Sequence, residues 1–259
     1  MKTTSIFAAT ALALAISTAA HAANDVSTVT QSGPSNYGEV VQRGATPATG
    51  DAGNTSGLEQ SGSTNYARIA QIASVVKVNT STVAQDGDSN AAVITQNIDD
   101  NTGSDRGFTS EVTQEGNGNG VNVSQTGRHK HSSTVTQTGN SNYSSVKQRG
   151  QSATSTIDQD GIGNIAVSYQ KSSSGTSLIT QDGNYNSSDV HQEGYNSDSE
   201  ILQSGNNNYA NMTQLAEKTK SDISQVGNTN NAYVLQLAAS SRSTITQTGN
   251  GNGAHVTQR

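Results

Sequence analysis

The 259-residue sequence has no cysteine and no tryptophan, and it has only two prolines and two phenylalanines. The lack of cysteine excludes disulfide bonds and Cys-ligated metal sites. Hydrophobic residues make up 30% of the chain, which is too little for an ordinary globular core and usually indicates disorder. An ordered fold therefore requires a regular arrangement of these residues. The formal net charge of −6 argues against nucleic acid as a partner.

A long hydrophobic run occurs near the start of the chain. Lys2 precedes the apolar stretch 6–16, and a small-x-small cleavage site ends at Ala22. This pattern is typical of an export signal and predicts a signal peptide over 1–22. No later segment is apolar enough to anchor the chain, so we expect a secreted protein without a transmembrane anchor.

The rest of the sequence, 23–259, repeats one pattern ten times: Ser-x-aliphatic-x-Gln-x-Gly-x-x-Asn-x-small-x-aliphatic-x-Gln. From Gln137 onward the first Gln recurs every 22 residues, and each repeat divides into two halves of 11 residues. Such a period indicates a solenoid, in which neighbouring repeats stack. Longer links around 43–55 and 97–109 predict looped insertions at one edge.

Within each half, the small, aliphatic and Gln positions of the motif alternate with polar residues, and this alternation is typical of β-strands. The Gln-x-Gly-x-x-Asn stretch interrupts the alternation. Glycine permits positive φ and asparagine tolerates turn geometry, so we interpret this stretch as a tight arc. The sequence thus predicts an all-β fold: a two-sheet β-solenoid, or β-helix, of ten strand-arc-strand repeats with about 22 residues per rung.

The inward amides form the site that the sequence predicts. Identical Gln and Asn side chains in register hydrogen-bond along a cross-β stack. No capping unit is visible before or after the repeats, so we expect both end rungs to accept another copy head to tail. The expected ladder and self-assembly residues are Gln31, Asn36, Gln42, Gln60, Asn65, Gln71, Gln225, Asn230, Gln236, Gln247, Asn252 and Gln258.

We predict no catalytic, cofactor-binding or metal site. Carboxylates such as Asp86 and Asp160 follow the first Gln on an exposed arc without a cleft, so we expect them to slow premature assembly. His129 and His131 lie in a stretch with basic neighbours, which favours a solvated loop over a metal site. Outward tyrosines such as Tyr37 suit an exposed strand.

The motif Gln-x-Gly-x-x-Asn-x-Ala-x-(Ile/Val)-x-Gln resembles the curlin repeat of curli fimbriae, the extracellular amyloid fibres of bacterial biofilms. Segments 64–71 and 208–214 show it well, and the resemblance extends over 26–259. It implies export through an outer-membrane curlin secretion channel and nucleation by a partner curlin subunit. The final repeat is similar to both major and nucleating subunits, and both types stay open.

The leading hypothesis is a structural subunit of a curli-like fibre at the cell surface, serving biofilm matrix and adhesion. The alternative is a monomeric secreted β-solenoid that binds a surface, as an adhesin or an ice-binding protein does. That function needs identical outward columns, and the outward positions of the first strands are mixed, for example Thr28, Glu59 and Thr82. A disordered polymer ranks third, and an enzyme ranks last.

Overall fold

A computed structural model describes residues 25–43, 53–73, 78–98, 107–128, 130–171 and 174–259. These residues form twenty strands in two parallel ten-stranded sheets. The predicted signal peptide and the middle of both predicted insertions lie outside the described residues. No helix in the described ranges is long and apolar enough to cross a membrane.

Each repeat contributes one strand to each sheet. The first sheet contains β1 (Val26–Ser32), β3 (Thr55–Ser61), β5 (Thr80–Asp86), β7 (Thr109–Glu115), β9 (Ser132–Asn140), β11 (Thr154–Ile162), β13 (Thr176–Asn184), β15 (Asp198–Ser204), β17 (Lys220–Val226) and β19 (Arg242–Thr248). The second contains β2 (Tyr37–Arg43), β4 (Tyr66–Ile72), β6 (Ala91–Ile98), β8 (Gly120–Gly127), β10 (Tyr143–Gly150), β12 (Ile165–Gln170), β14 (Ser187–Gln192), β16 (Tyr209–Gln214), β18 (Asn231–Gln236) and β20 (Gly253–Gln258).

The register places each motif residue over its equivalent in the next repeat. In the first sheet Gln159 pairs with Gln181, and in the second sheet Gln148 pairs with Gln170. Like lies over like in every rung, including the early repeats with longer links, because a shift of one residue would turn the inward face outward. The predicted two-sheet β-solenoid is confirmed.

The core lies between the two sheets and is one aliphatic side chain deep on each strand. In β13, Ser177, Ile179 and Gln181 are buried, while the residues between them are partly exposed. The second sheet departs from this rule at Ser168, which is fully buried in the aliphatic column and whose hydroxyl has no hydrogen-bond partner within the described ranges. The apolar core is thin, so polar contacts must contribute to stability.

The arcs between the two strands of each repeat contain two residues with positive φ. One is the motif glycine, for example Gly161 at φ +123°. The other is the residue before the motif Asn, for example Ser141 or Tyr185. The stretch forms the predicted tight arc, and the motif Asn at its end does not itself take positive φ. Asn142 and its equivalents in the interior rungs are instead buried, because their amides are needed inside the arc.

Candidate functional site

Two unbroken ladders of glutamine amides run through all ten rungs. In the first, each Nε2 donates to the Oε1 of the next repeat from Gln31 to Gln247, over 2.6–2.9 Å. In the second, the same bonds run from Gln42 to Gln258, over 2.8–3.0 Å. Each rung therefore satisfies the amides of its neighbours.

The second hydrogen of each ladder amide except that of Gln31 joins the two sheets. Gln159 Nε2 also donates to the Tyr143 carbonyl at 3.2 Å, and Gln170 Nε2 donates to the Thr154 carbonyl at 3.0 Å. Both glutamines are fully buried. A buried amide without partners costs about 1–3 kcal/mol, so these bonds offset a large desolvation penalty.

All of the ladder bonds point the same way, from the N-terminal rung to the C-terminal rung. At the first rung, Gln31 Oε1 is buried and has no hydrogen-bond partner among the described residues. At the last rung, Gln247 Nε2 donates to the Asn231 carbonyl at 3.0 Å, and its other hydrogen faces the open side of the strand. One end of the described stack therefore offers acceptors, and the other end offers donors.

The motif asparagines use their amides differently from the glutamines. Asn65 donates its backbone N–H to Asn36 Oδ1 at 3.0 Å, and its Nδ2 donates to the Gly87 carbonyl at 2.7 Å. Its Nδ2 also donates to the Ser61 carbonyl at 2.9 Å, four residues earlier in the chain. Each motif Asn of an interior rung thus fastens its arc to the rungs on both sides. Amide-to-amide bonds join the described motif asparagines at Asn208, Asn230 and Asn252.

A second asparagine ladder lies on the exposed side of the arc, and the sequence interpretation missed it. Its members follow the first Gln by three positions. Asn206 Oδ1 accepts the backbone N–H of Asn184 at 3.0 Å, and Asn250 Oδ1 accepts that of Asn228 at 2.8 Å. The recurrence of Asn at this position in six of the ten repeats was the available signal.

Asp88 takes the same position in its repeat and shows the electrostatic effect of these bonds. Its carboxylate accepts both the Ser63 hydroxyl, at 2.6 Å, and the Ser63 backbone N–H, at 2.8 Å. These hydrogen bonds lower the pKa of Asp88 because they stabilise its charged form.

The motif glycines of successive arcs stack on one another, and their contacts explain why this position is glycine in all ten repeats. A Cβ on Gly161 would lie 2.0 Å from the carbonyl oxygen of Gly183, and Gly183 stands in the same relation to Gly205, at 2.1 Å. The backbones of successive arcs touch at this point. Only glycine allows both the positive φ and the close approach.

His131 does not lie in a solvated loop, so that prediction is wrong for it. It is fully buried in the arc that precedes β9, its Nδ1 accepts the Ala153 backbone N–H at 3.1 Å, and its ring centre lies 4.9 Å from that of Phe108. Phe108 and Ala153 are the buried equivalents in the adjacent rungs, and their packing overrides the basic residues beside it in sequence. His129 lies outside the described residues.

The outer face of the second sheet carries partly exposed aromatic and acidic side chains. Tyr37 and Tyr66 stack with ring centres 5.3 Å apart, and both are about two-fifths exposed. Asp189 lies on the same face, and burial raises the pKa of its carboxyl, while the nearby His191 opposes the shift. Among the described residues, no group of three or more His, Cys, Asp or Glu is placed to hold a metal ion.

A comparison of the sequence with known protein families matches segments that contain the ladder residues. The family model for the curlin associated repeat matches residues 132–161 and 222–249. A search among curated proteins finds no match. The two matched segments contain the Gln, Gly and Asn positions that form the ladders and arcs described above. Over these two segments the chain is therefore similar to the curlin associated repeat.

Proposed function

We propose that this protein is a structural subunit of an extracellular, curli-like amyloid fibre, built by head-to-tail stacking of copies for biofilm matrix and surface adhesion. The observation that carries the proposal is the directed pair of glutamine ladders. Their bonds have the geometry of a cross-β stack within a single chain. A second copy can continue them without a change of register.

The polarity of the ladders supports head-to-tail stacking over the other arrangements. An N-terminal edge against another N-terminal edge would bring Gln31 Oε1 towards a second acceptor. A C-terminal edge against an N-terminal edge brings Gln247 Nε2 to Gln31 Oε1, which has no partner in the described part of the chain. Strands β19 and β1 then pair as interior strands do, and a contact of this kind does not close but gives a filament.

The similarity of two segments to the curlin associated repeat also suggests the route to the cell surface. We infer export through an outer-membrane curlin secretion channel, with the predicted signal peptide over 1–22 directing the first step. A partner curlin subunit would start or extend the fibre. The ladder geometry serves an elongating and a nucleating subunit equally well, because both add rungs of the same register.

The proposal is tested by following thioflavin fluorescence of the mature protein, with and without preformed seeds, and by fibre diffraction. We expect a lag that seeds remove and a reflection at about 4.8 Å along the fibre axis. A sample that stays monomeric, seeded or unseeded, would contradict the proposal and favour the surface-binding alternative.

An edge variant makes this test specific to the ladders. Gln247→Ala removes the donor that is proposed to meet the next copy, and it should slow elongation strongly. Thr246→Ala is the matched control, because Thr246 is the exposed neighbour on the same strand. Equal elongation rates for the two variants would show that the ladder edge does not mediate growth.

A further inference from the structure

The pentapeptide Gly-Asn-Gly-Asn-Gly occurs twice, at 116–120 in the fourth repeat and at 249–253 in the last. Each copy contains two Asn-Gly steps at equivalent positions of the arc. In an Asn-Gly step the glycine backbone nitrogen can attack the side-chain carbonyl carbon, because glycine has no side chain to hinder it. The two copies therefore allow one chemistry to be compared in two places.

In the fourth repeat, both glycine nitrogens are engaged. Gly118 donates its N–H to the Asp88 carbonyl at 2.9 Å, and Gly120 donates its N–H to the Asn142 carbonyl at 2.8 Å. The Asn119 side chain is buried, and its Oδ1 accepts the Asn142 backbone N–H at 3.0 Å. Neither the nucleophile nor the amide of this step is free to react.

In the last repeat, the two steps differ from each other. Gly251 donates its N–H to the Asn228 carbonyl at 2.9 Å. Gly253 begins β20, which pairs with β18 alone, and Asn231 of β18 turns its own N–H towards β20. Paired residues of these parallel strands point their N–H groups the same way, as Gly120 and Tyr143 do, so the N–H of Gly253 points away from β18 to the open edge and has no acceptor in the described chain.

The side chain of Asn252 is also more accessible than that of Asn119. Its Nδ2 donates to Asn230 Oδ1 at 2.9 Å and to the Thr248 carbonyl at 3.2 Å, and the residue is partly exposed. Its Oδ1 accepts no hydrogen bond from the described residues, whereas Asn119 Oδ1 does. Both reacting groups of the step are thus accessible at this edge.

We propose that Asn252-Gly253 is a spontaneous deamidation site. The Gly253 backbone nitrogen gives its proton to solvent and forms a bond to the side-chain carbonyl carbon of Asn252. The bond from that carbon to Nδ2 breaks, and Nδ2 leaves as ammonia after taking a proton. The resulting five-membered succinimide is opened by water at either carbonyl, which gives aspartate or isoaspartate without any change of oxidation state.

The consequence for growth rests on the proposed function. Isoaspartate adds one carbon to the backbone between the arc and β20, so the final strand loses its register with an incoming copy. A stacked copy would instead place the Asn36 carbonyl where Asn142 lies in the interior, and it would engage the Gly253 N–H. Free subunits thus lose a competent edge with time, and incorporated subunits keep theirs.

The test uses the two pentapeptides as substrate and internal control in one sample. The folded, unpolymerised mature chain is incubated in mildly alkaline buffer, digested with trypsin, and analysed by mass spectrometry of peptides 107–128 and 243–259. We expect deamidation at Asn252 at least about tenfold faster than at Asn119, since sites without native hydrogen bonds need no opening step. In urea, the two peptides should react at similar rates.

Equal rates at Asn252 and Asn119 in the folded chain would overturn the proposal, as would a faster reaction at Asn250. Gly253→Ala gives a second check, because a Cβ there meets no atom within 4 Å and so leaves the fold intact. This variant should slow the reaction at Asn252 and leave Asn250 unchanged. A rate at Asn252 that does not fall in the variant would also refute the site.

A fibre sample separates this inference from the proposed function. If the fibre stacks through β19 and β20, Asn252 should react as slowly in fibres as Asn119 does. Fast reaction in both the free and the polymerised protein would refute stacking at this edge and would leave the deamidation site established. Slow reaction in the free protein would refute the site, whatever the fibre does.

Discussion

Gln159 and Gln31 occupy the same column of the same ladder, one in the interior and one at the edge, and their replacement by alanine should cost very different amounts of stability. Gln159 is fully buried and makes four hydrogen bonds: to Gln137 at 2.8 Å, Gln181 at 2.7 Å, the Tyr143 carbonyl at 3.2 Å and the Ser144 hydroxyl at 2.8 Å. With the described residues, Gln31 makes one side-chain hydrogen bond, to Gln60 at 2.6 Å.

These contacts set the expected magnitudes. Four bonds at about 1 kcal/mol each, with about 0.8 kcal/mol for one lost methylene, give about 3–5 kcal/mol for Gln159→Ala. Gln31→Ala should cost about 1 kcal/mol, because one bond is lost at a partly solvated rung. The larger value is a substantial part of the about 5–15 kcal/mol by which proteins of this size are stable.

The assay is urea denaturation of the monomeric chain at low protein concentration, followed by circular dichroism. Repeat proteins can open in segments, so amide hydrogen exchange of β9, β11 and β13 should accompany it. We expect a clear loss of protection in these strands for Gln159→Ala alone. Free energies of unfolding that agree within about 0.5 kcal/mol for the two variants would refute the ladder as a stabilising element.

Three further changes probe other parts of the fold. Gly161→Ala should lower the free energy of unfolding in urea by about 3 kcal/mol or more, because the residue has positive φ and the new Cβ would overlap the Gly183 carbonyl oxygen. Gly57→Ala is the control and should be near neutral, because there is space for a Cβ at Gly57. Ser168→Val should stabilise by about 1–2 kcal/mol, seen as a higher Tm, because it removes an unpaired buried hydroxyl; a lower Tm would indicate overpacking. Burial raises the pKa of Asp189, so the contribution of this carboxyl to stability falls as pH rises from the usual pKa of 3.8 through the raised one. The Tm of Asp189→Asn should therefore exceed that of the parent at neutral pH and equal it at pH values below 3.8. A difference in Tm that persists in acid would contradict this reasoning.

Prediction from sequence succeeded where a local rule repeats. The alternation of Ser177, Ile179 and Gln181 defines a strand with one buried face, and its recurrence every 22 residues fixes what lies above and below it. The turn residues were harder to predict. The position before the motif Asn takes positive φ while holding residues as different as Ser35 and Tyr185, so composition alone gives little indication of its conformation.

His131 shows the same limit for burial. Its sequence neighbours Arg128 and Lys130 favoured a solvated loop, but its surroundings are set by Phe108 and Ala153, each more than 20 residues away. Burial in a solenoid depends on the adjacent rungs. A reading along the chain therefore fails wherever one rung differs from the next, as it does at Phe108, His131 and Ala153.

The sequence by itself determined the repeat, the parallel register and the inward amide columns, because a motif that recurs in every repeat stacks each residue on its equivalent. The tertiary structure decided which neighbour each polar group bonds. Three features depend on which adjacent rung a group faces. They are the direction of the glutamine ladders, the backbone partners of Asn65, and the contrast between the N–H of Gly253, which has no acceptor in the described chain, and the bonded N–H of Gly120. A repeating sequence gives identical residues, and only their position in the stack makes their environments different.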